Sequence, residues 1–238
     1  MRRGKRILAV IPARGGSKGI PNKNISSVAG KPLISYTTEL LKELPWIDSA
    51  VVSTDSAAIA DVALGPGTVE IVWRPEELSG DNIGDMPVLA HALATVETKR
   101  HERYEIVVML QPTSPLRAVG DVEACVDSLL EGSWSSVWTV SETDLTYHPQ
   151  KQVRISSSGA VYFYLPGGAT VIARQQLEPA YHRNGVCYSF TADFVKSSDS
   201  VFSPGASAAL ITPGRHISID TPEDLREVTA VIESKTLR

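Results

Sequence analysis

The chain has 238 residues, of which 42% are hydrophobic and 21% charged, and a net charge of −4, so it is long enough for one large core and short for two. The acidic balance and the lack of a long basic run exclude a general nucleic-acid binder, and no apolar stretch approaches the length of a membrane span. Cys125 and Cys187 stand alone with no metal-ligand spacing near either, which predicts a reduced cytoplasm and packing roles instead of a disulfide framework.

Met1-Arg2-Arg3-Gly4-Lys5-Arg6 carries charge like the start of an export signal. The apolar run behind it, Ile7 to Ile11, meets Pro12 too early, and a cytoplasmic protein is expected. Arg6 to Ile11 reads as a buried strand. It empties into Pro12-Ala13-Arg14-Gly15-Gly16-Ser17-Lys18-Gly19-Ile20-Pro21-Asn22-Lys23-Asn24, where three glycines let backbone N–H groups approach a ligand and Arg14, Lys18 and Lys23 surround the same turn. Such a loop suits a polyphosphate. It is not a Walker loop, because Lys18 is followed by Gly19, and it is not a dinucleotide fingerprint, because Arg14 stands where a glycine is needed.

A helix follows over Pro32 to Leu44, ended by Pro45, then a strand over Ala50 to Ser53 and a short helix over Ser56 to Leu64. Thr68 to Trp73 is predicted as a strand, Met86 to Lys99 as a helix, Ile106 to Leu110 as a strand, Gly120 to Leu130 as a helix and Ser136 to Val140 as extended. The chain closes with strands at Ala208 to Ile211 and His216 to Ile219 and a helix from Pro222 to about Lys235. The alternation predicts a single, doubly wound α/β domain with a mostly parallel sheet. Residues 141–185 break the rhythm with Ser156-Ser157-Ser158-Gly159 and Pro166-Gly167-Gly168, so they are expected to form an inserted flap or dimer arm. Its apolar run, Val161-Tyr162-Phe163-Tyr164-Leu165, lacks a core of its own.

Ligands of open α/β sheets sit at the carboxyl ends of the strands. The polar clusters fall there: the phosphate loop, Ser53-Thr54-Asp55, Arg74-Pro75-Glu76, Gln111-Pro112-Thr113-Ser114-Pro115-Leu116-Arg117, and Asp220. Asp55 also fits as a cap for the helix that begins at Ser56. The two prolines of the fourth cluster stiffen a wall carrying Gln111, Thr113, Ser114 and Arg117. Thr221, Pro222 and Asp224 have the chemistry of a capped helix start, which leaves Asp220 without a structural explanation. A carboxylate facing cationic phosphate-binding groups is where a magnesium ion would bridge carboxylate and phosphate.

Taken in order, IPARGGSKGIPNKN with Gly30-Lys31-Pro32-Leu33-Ile34, Ser53-Thr54-Asp55, Arg74-Pro75-Glu76-Glu77-Leu78, QPTSPLR, Arg183-Asn184-Gly185 to Tyr188, and Ile219-Asp220-Thr221-Pro222-Glu223-Asp224 resemble the acylneuraminate cytidylyltransferases, or CMP-sialic acid synthetases. The resemblance spans the chain. The related synthetases for the eight-carbon acid Kdo run more directly into Gly-Lys-Pro-Leu, whereas this chain keeps a longer spacer.

The resemblance implies a Rossmann-like nucleotidyltransferase fold and a reaction in which CTP and a nonulosonic acid give the CMP-sugar acid and pyrophosphate, with Mg2+. It assigns the nucleotide to Ala13, Arg14, Gly15, Gly16, Ser17, Lys18, Lys23, Asn24 and Arg74, and the sugar acid to Gln111, Thr113, Lys151, His182 and Arg183. Arg14, Lys18, Lys23, Gln111 and Asp220 are its catalytic candidates, Asp220 as the metal ligand, and a homodimer reached through the insertion is implied. The residues agree with the chemistry: three cations suit a triphosphate whose leaving group gains charge in the transition state, and the sugar's own anomeric hydroxyl removes the need for a protein nucleophile.

Two positions depart from the family. Many members carry Asp-Ile-Asp before the last helix, where this chain has Ser218-Ile219-Asp220, which predicts weaker metal binding or compensation from Asp224 or the substrates. Members often place arginine where this chain has His182, with Arg183 beside it. Arg183 taking the acceptor carboxylate, His182 marking another acid acceptor, and a plain polar turn all fit there. A Kdo-like or specialised acceptor, or a nucleotide-binding protein without turnover, therefore stand as alternatives to the sialic-type acceptor.

Overall fold

The computed structural model describes residues 1–236; positions 237 and 238 of the expected domain lie outside the described residues. In chain order the strands and helices are β1 (Ile7–Pro12), β2 (Ser27–Val28), β3 (Lys31–Pro32), α1 (Leu33–Leu40), β4 (Ser49–Thr54), α2 (Ala57–Leu64), β5 (Glu70–Trp73), α3 (Asp85–Arg100) and β6 (Ile106–Met109). They continue with α4 (Val119–Glu131), β7 (Ser136–Glu142), β8 (Val153–Ile155), β9 (Val161–Phe163), β10 (Tyr181–Thr191), α5 (Ala192–Ser197), β11 (Ser207–Ile211) and α6 (Pro222–Thr236).

One seven-stranded sheet runs in the order β11-β7-β10-β6-β1-β4-β5. Every pairing in it is parallel except those of β10, which is antiparallel to both β6 and β7. Helices cover both faces. Ile7, Ala9 and Ile11 of β1 pack with α1, α2 and α4, while Leu8 and Val10, pointing the other way along the pleat, pack with α3 and α5. A strand buried on both faces needs an unbroken apolar run, and ILAVI supplies it. This is the doubly wound α/β layering anticipated from the alternation, and it agrees with the Rossmann-like fold that the resemblance implies. A third cluster, Ile20, Val28, Leu33, Ile219 and Val228, ties the loop after β1 to α6.

Two elements differ from the sequence reading. Residues His216 to Ile219 are not a strand: Pro213 offers no N–H and Gly214 turns at φ +86°, so the chain leaves the sheet after β11. Ile219 N–H instead donates to the carbonyl of Thr113, 2.8 Å away, and its side chain is buried in the third cluster. The second difference is β10, a long interior strand of the sheet, between β7 and β6, that begins inside the segment read as insertion. Its pairing with β7 shifts between Arg183 and Tyr188, where Gly185 takes φ +70°.

Between β7 and β10 the chain forms short 3-10 turns and the antiparallel hairpin of β8 and β9. Apolar side chains are left in the open there, among them Ile155, Val161, Tyr164 and, 89% exposed, Ile172. The three arginines of the basic start are held in ion pairs: Arg2 with Asp127 and Glu123, Arg3 with Glu131, and Arg6 with Glu102. Cys125 and Cys187 are free and buried. Among the described residues, no helix is long and apolar enough to cross a membrane.

Candidate active site

The loop after β1 is held from several sides. Ala13 N–H continues the parallel ladder to Ser53 O, Gly15 N–H donates to Asp55 Oδ1 at 2.7 Å, and the buried Asn24 amide donates to Arg14 O at 3.0 Å. Asp55 is therefore an anchor for the glycine turn; the helix cap expected of it is supplied by Ser56, whose hydroxyl accepts from Ile59 N–H. At Gly19 the loop passes directly over Asp220, so close that a Cβ there would lie 2.6 Å from the Asp220 carbonyl oxygen.

Three cations project from this loop and each meets a carboxylate. Lys23 Nζ is 2.8 Å from Asp220 Oδ1, Arg14 Nη2 is 2.7 Å from Asp81 Oδ1, and Lys18 Nζ is 2.5 Å from Asp81 Oδ2. Asp220 also accepts from the Ser218 hydroxyl, 3.2 Å away. The serine at the position of the absent carboxylate thus orients the carboxylate that is present. Asp224 is occupied elsewhere: its Oδ2 accepts the N–H groups of Asp220 and Thr221, while Thr221 Oγ1 caps Asp224 N–H, the reciprocal cap at the start of α6.

Arg74, just past β5, is 8% exposed and folds back on Ser53, its Nε donating to the hydroxyl and its Nη2 to the carbonyl. Burial lowers the pKa of its guanidinium from the ordinary value, with Asp55 opposing. Past β6, Gln111 and Thr113 face the same space, but Ser114 and Arg117 do not. Ser114 Oγ donates to Asn184 O, and the buried Arg117 guanidinium donates to Val186 O, Gly185 O, Gln111 O and Thr37 Oγ1. Desolvation pushes its pKa down to about 10. The wall expected from QPTSPLR is half wall and half strut, with Arg117 fastening the Gln111 turn to the bulge of β10. Gly185 is required in that bulge, because a Cβ would meet Gln111 Oε1 at 2.7 Å and Ser114 Oγ at 2.9 Å.

Arg14, Ser17, Lys18, Lys23, Asn24, Arg74, Gln111, Thr113 and Asp220 line one cavity of about 510 Å³, a size suited to enclosing a small ligand. Ala13, Gly15 and Gly16 form its frame and do not line it. Three acceptor-side residues stand apart. His182 faces a separate cleft with Thr143, Tyr147 and His216, its Nδ1 3.0 Å from Thr143 Oγ1. Arg183 points to the other side of β10, with its guanidinium 5.7 Å from the centre of the Trp138 ring, and although it does not line the cavity its charge reaches Asp85 in the cavity wall. Lys151 ends an exposed 3-10 turn of the projecting segment.

Sequence reasoning missed two acids. Asp81 reads locally as a solvated turn between Gly80 and Asn82, and its carboxyl is held below the usual range first by Lys18 and then by Arg14. Asp85 reads as first-turn helix chemistry, yet it lines the cavity, where burial raises its pKa against the pull of Arg183 and Arg74. Among the described residues no cluster of three or more His, Cys, Asp or Glu side chains forms a metal cage. Asp220, 67% exposed and beside the cations of the loop after β1, is the one carboxylate among the residues lining this cavity, apart from Asp85, that would be available to a divalent cation.

An open, mostly parallel sheet with grouped cations, a buried arginine and a carboxylate at its carboxyl rim fits an α/β protein that binds a phosphorylated nucleotide there. The profile of the cytidylyltransferase family matches residues 8–234, and the chain belongs to that family. It is 34% identical over 222 residues to the CMP-N,N'-diacetyllegionaminic acid synthase of Legionella pneumophila, covering 92% of this chain and 93% of that one. It is 30% identical over 218 residues to the pseudaminic acid cytidylyltransferase of Campylobacter jejuni, covering 92% of each. Among solved structures, a CMP:2-keto-3-deoxy-manno-octonic acid synthetase complexed with CTP superimposes with a TM-score of 0.70 at 16% identity, over 97% of this chain and 99% of that chain, a likeness of fold.

Proposed function

We propose that this cytidylyltransferase moves CMP from CTP to the anomeric hydroxyl of a nonulosonic acid, releasing pyrophosphate. The observation that carries the reading is the convergence of Arg14, Lys18, Lys23, Arg74, Gln111 and Asp220, from loops far apart in sequence, on one cavity. Arg14, Lys18 and Lys23 hold the triphosphate and neutralise charge that grows on the leaving pyrophosphate. Asn24 and Arg74 take the nucleoside end, and Gln111 and Thr113 orient the acceptor. Asp220 is the residue that would hold Mg2+, which would supply charge neutralisation at the reacting phosphate. Lys23 and Ser218 keep the Asp220 carboxylate aimed at the cavity before substrate arrives.

The acceptor side rests on Arg183, whose guanidinium suits a carboxylate, and on relatives named for legionaminic and pseudaminic acid. His182, in its own cleft, is set aside as the carboxylate ligand. The exposed apolar hairpin and Lys151 fit an arm that docks on a second copy of the chain, making the enzyme a homodimer. The test is pyrophosphate release from CTP with magnesium and a panel of sialic, legionaminic, pseudaminic and Kdo acceptors. Release dependent on a nine-carbon acid supports the reading. Release with Kdo alone, or with no acid, overturns it.

A further inference from the structure

The triphosphate cations of the free protein are already paired with an anion of its own. Asp81 places one carboxylate oxygen 2.7 Å from Arg14 Nη2 and the other 2.5 Å from Lys18 Nζ, bridging the two cations as two oxygens of a phosphate would. Lys18 is 80% exposed, so this contact, more than packing, holds its ammonium over the cavity. Asp81 sits in a turn whose backbone bonds are local: Leu78 N–H to Pro75 O, Ser79 N–H to Glu76 O, and Ile83 N–H to Gly80 O. The turn can therefore give up the Asp81 contact without breaking the sheet. Ile83 and Gly84, which end it, line the cavity.

We infer that Asp81 is a built-in competitor for the triphosphate seat, and that a polyphosphate binds by displacing its carboxylate from Arg14 and Lys18. The inference rests on the proposal that this cavity takes a triphosphate. Both ion pairs are partly exposed to water, so their loss is offset readily by a ligand with several anionic oxygens. When pyrophosphate leaves, the carboxylate returns and keeps the cations positioned for the next nucleotide. Asp81 is in this sense a positioning residue that weakens ground-state binding and shortens the stay of a polyphosphate product.

The test measures binding of inorganic tripolyphosphate and of cytidine by calorimetry at low salt without metal, using the intact protein and Asp81→Asn. Tripolyphosphate should bind about three- to tenfold more tightly to the variant, the worth of two partly exposed ion pairs, and the gain should shrink as salt is raised. Cytidine affinity should not change. Asp85→Asn removes the same charge from the cavity without touching Arg14 or Lys18, and its gain should be smaller. Unchanged or weaker tripolyphosphate binding in Asp81→Asn, or an equal gain in Asp85→Asn, overturns the inference. Because tripolyphosphate carries neither base nor acceptor, this outcome is readable even if the cytidylyl-transfer reading fails in the pyrophosphate assay.

Discussion

Gly19→Ala places a single methyl group between the phosphate loop and Asp220. The added Cβ would lie 2.6 Å from the Asp220 carbonyl oxygen, and ordinary contact begins at 3.4 Å, so the loop and the segment leading into α6 must separate by about 0.8 Å. The obstruction is backbone and cannot rotate away. Gly19 has no left-handed φ, so alanine fits the local conformation and the effect is one of contact alone. On one side of the widened gap are Lys18 and Lys23, on the other Asp220, the groups that must act together on one triphosphate. A misplacement near 1 Å costs on the order of a hundredfold in turnover. The assay is acceptor-dependent pyrophosphate release, run beside a thermal melt to show that the fold is retained. Turnover within twofold of the unmodified protein would refute the argument that the approach of Gly19 to Asp220 assembles the site.

Other substitutions probe separate parts of the account. Asp220→Ala should lower turnover by at least about a hundredfold while the melting temperature falls only slightly, because Asp220 itself is largely exposed although its partner Lys23 is mostly buried; magnesium titrations and melts check both halves. Asn184→Ala should destabilise the protein by about 3 kcal/mol and lower Tm by roughly 10 °C. That buried amide bonds Thr139, Ser141, Thr212 and Val186 N–H across three strand ends, and denaturant unfolding measures its loss. Arg183→Ala should raise the acceptor KM about tenfold with little change in the CTP KM, whereas His182→Ala should leave both within about twofold, as steady-state kinetics would report.

The parallel half of the fold was legible because its strands are buried on both faces and their apolar runs announce themselves, as ILAVI and IVVM do. β10 was not. Its sequence YHRNGVCYSFT mixes apolar with polar side chains, and the buried polar ones, Asn184 and Ser189, are satisfied by partners 28 to 64 residues away that no local pattern reveals. His216 to Ile219 misled in the opposite direction: alternation looks like a strand, but the Pro213-Gly214 turn removes it from the sheet. At the site, cations and glycines marked the phosphate loop from sequence. Asp81 and Asp85 escaped because an acid in a turn or at a helix start has ordinary local explanations. Only the folded chain brings Asp81 onto Arg14 and Lys18, 67 and 63 positions away in numbering. Arg117, read with Gln111 as part of one polar wall, is a strut instead, because its hydrogen bonds to distant carbonyls cannot be seen from sequence.

Phosphorus NMR of the protein with CTP, magnesium and a nonulosonic acid examines the proposed chemistry most directly. The three CTP resonances should be replaced by one phosphodiester resonance and pyrophosphate in equal molar amounts. Appearance of CDP with phosphate, or of free CMP with pyrophosphate and no ester, would contradict transfer at the α-phosphorus to the acceptor hydroxyl.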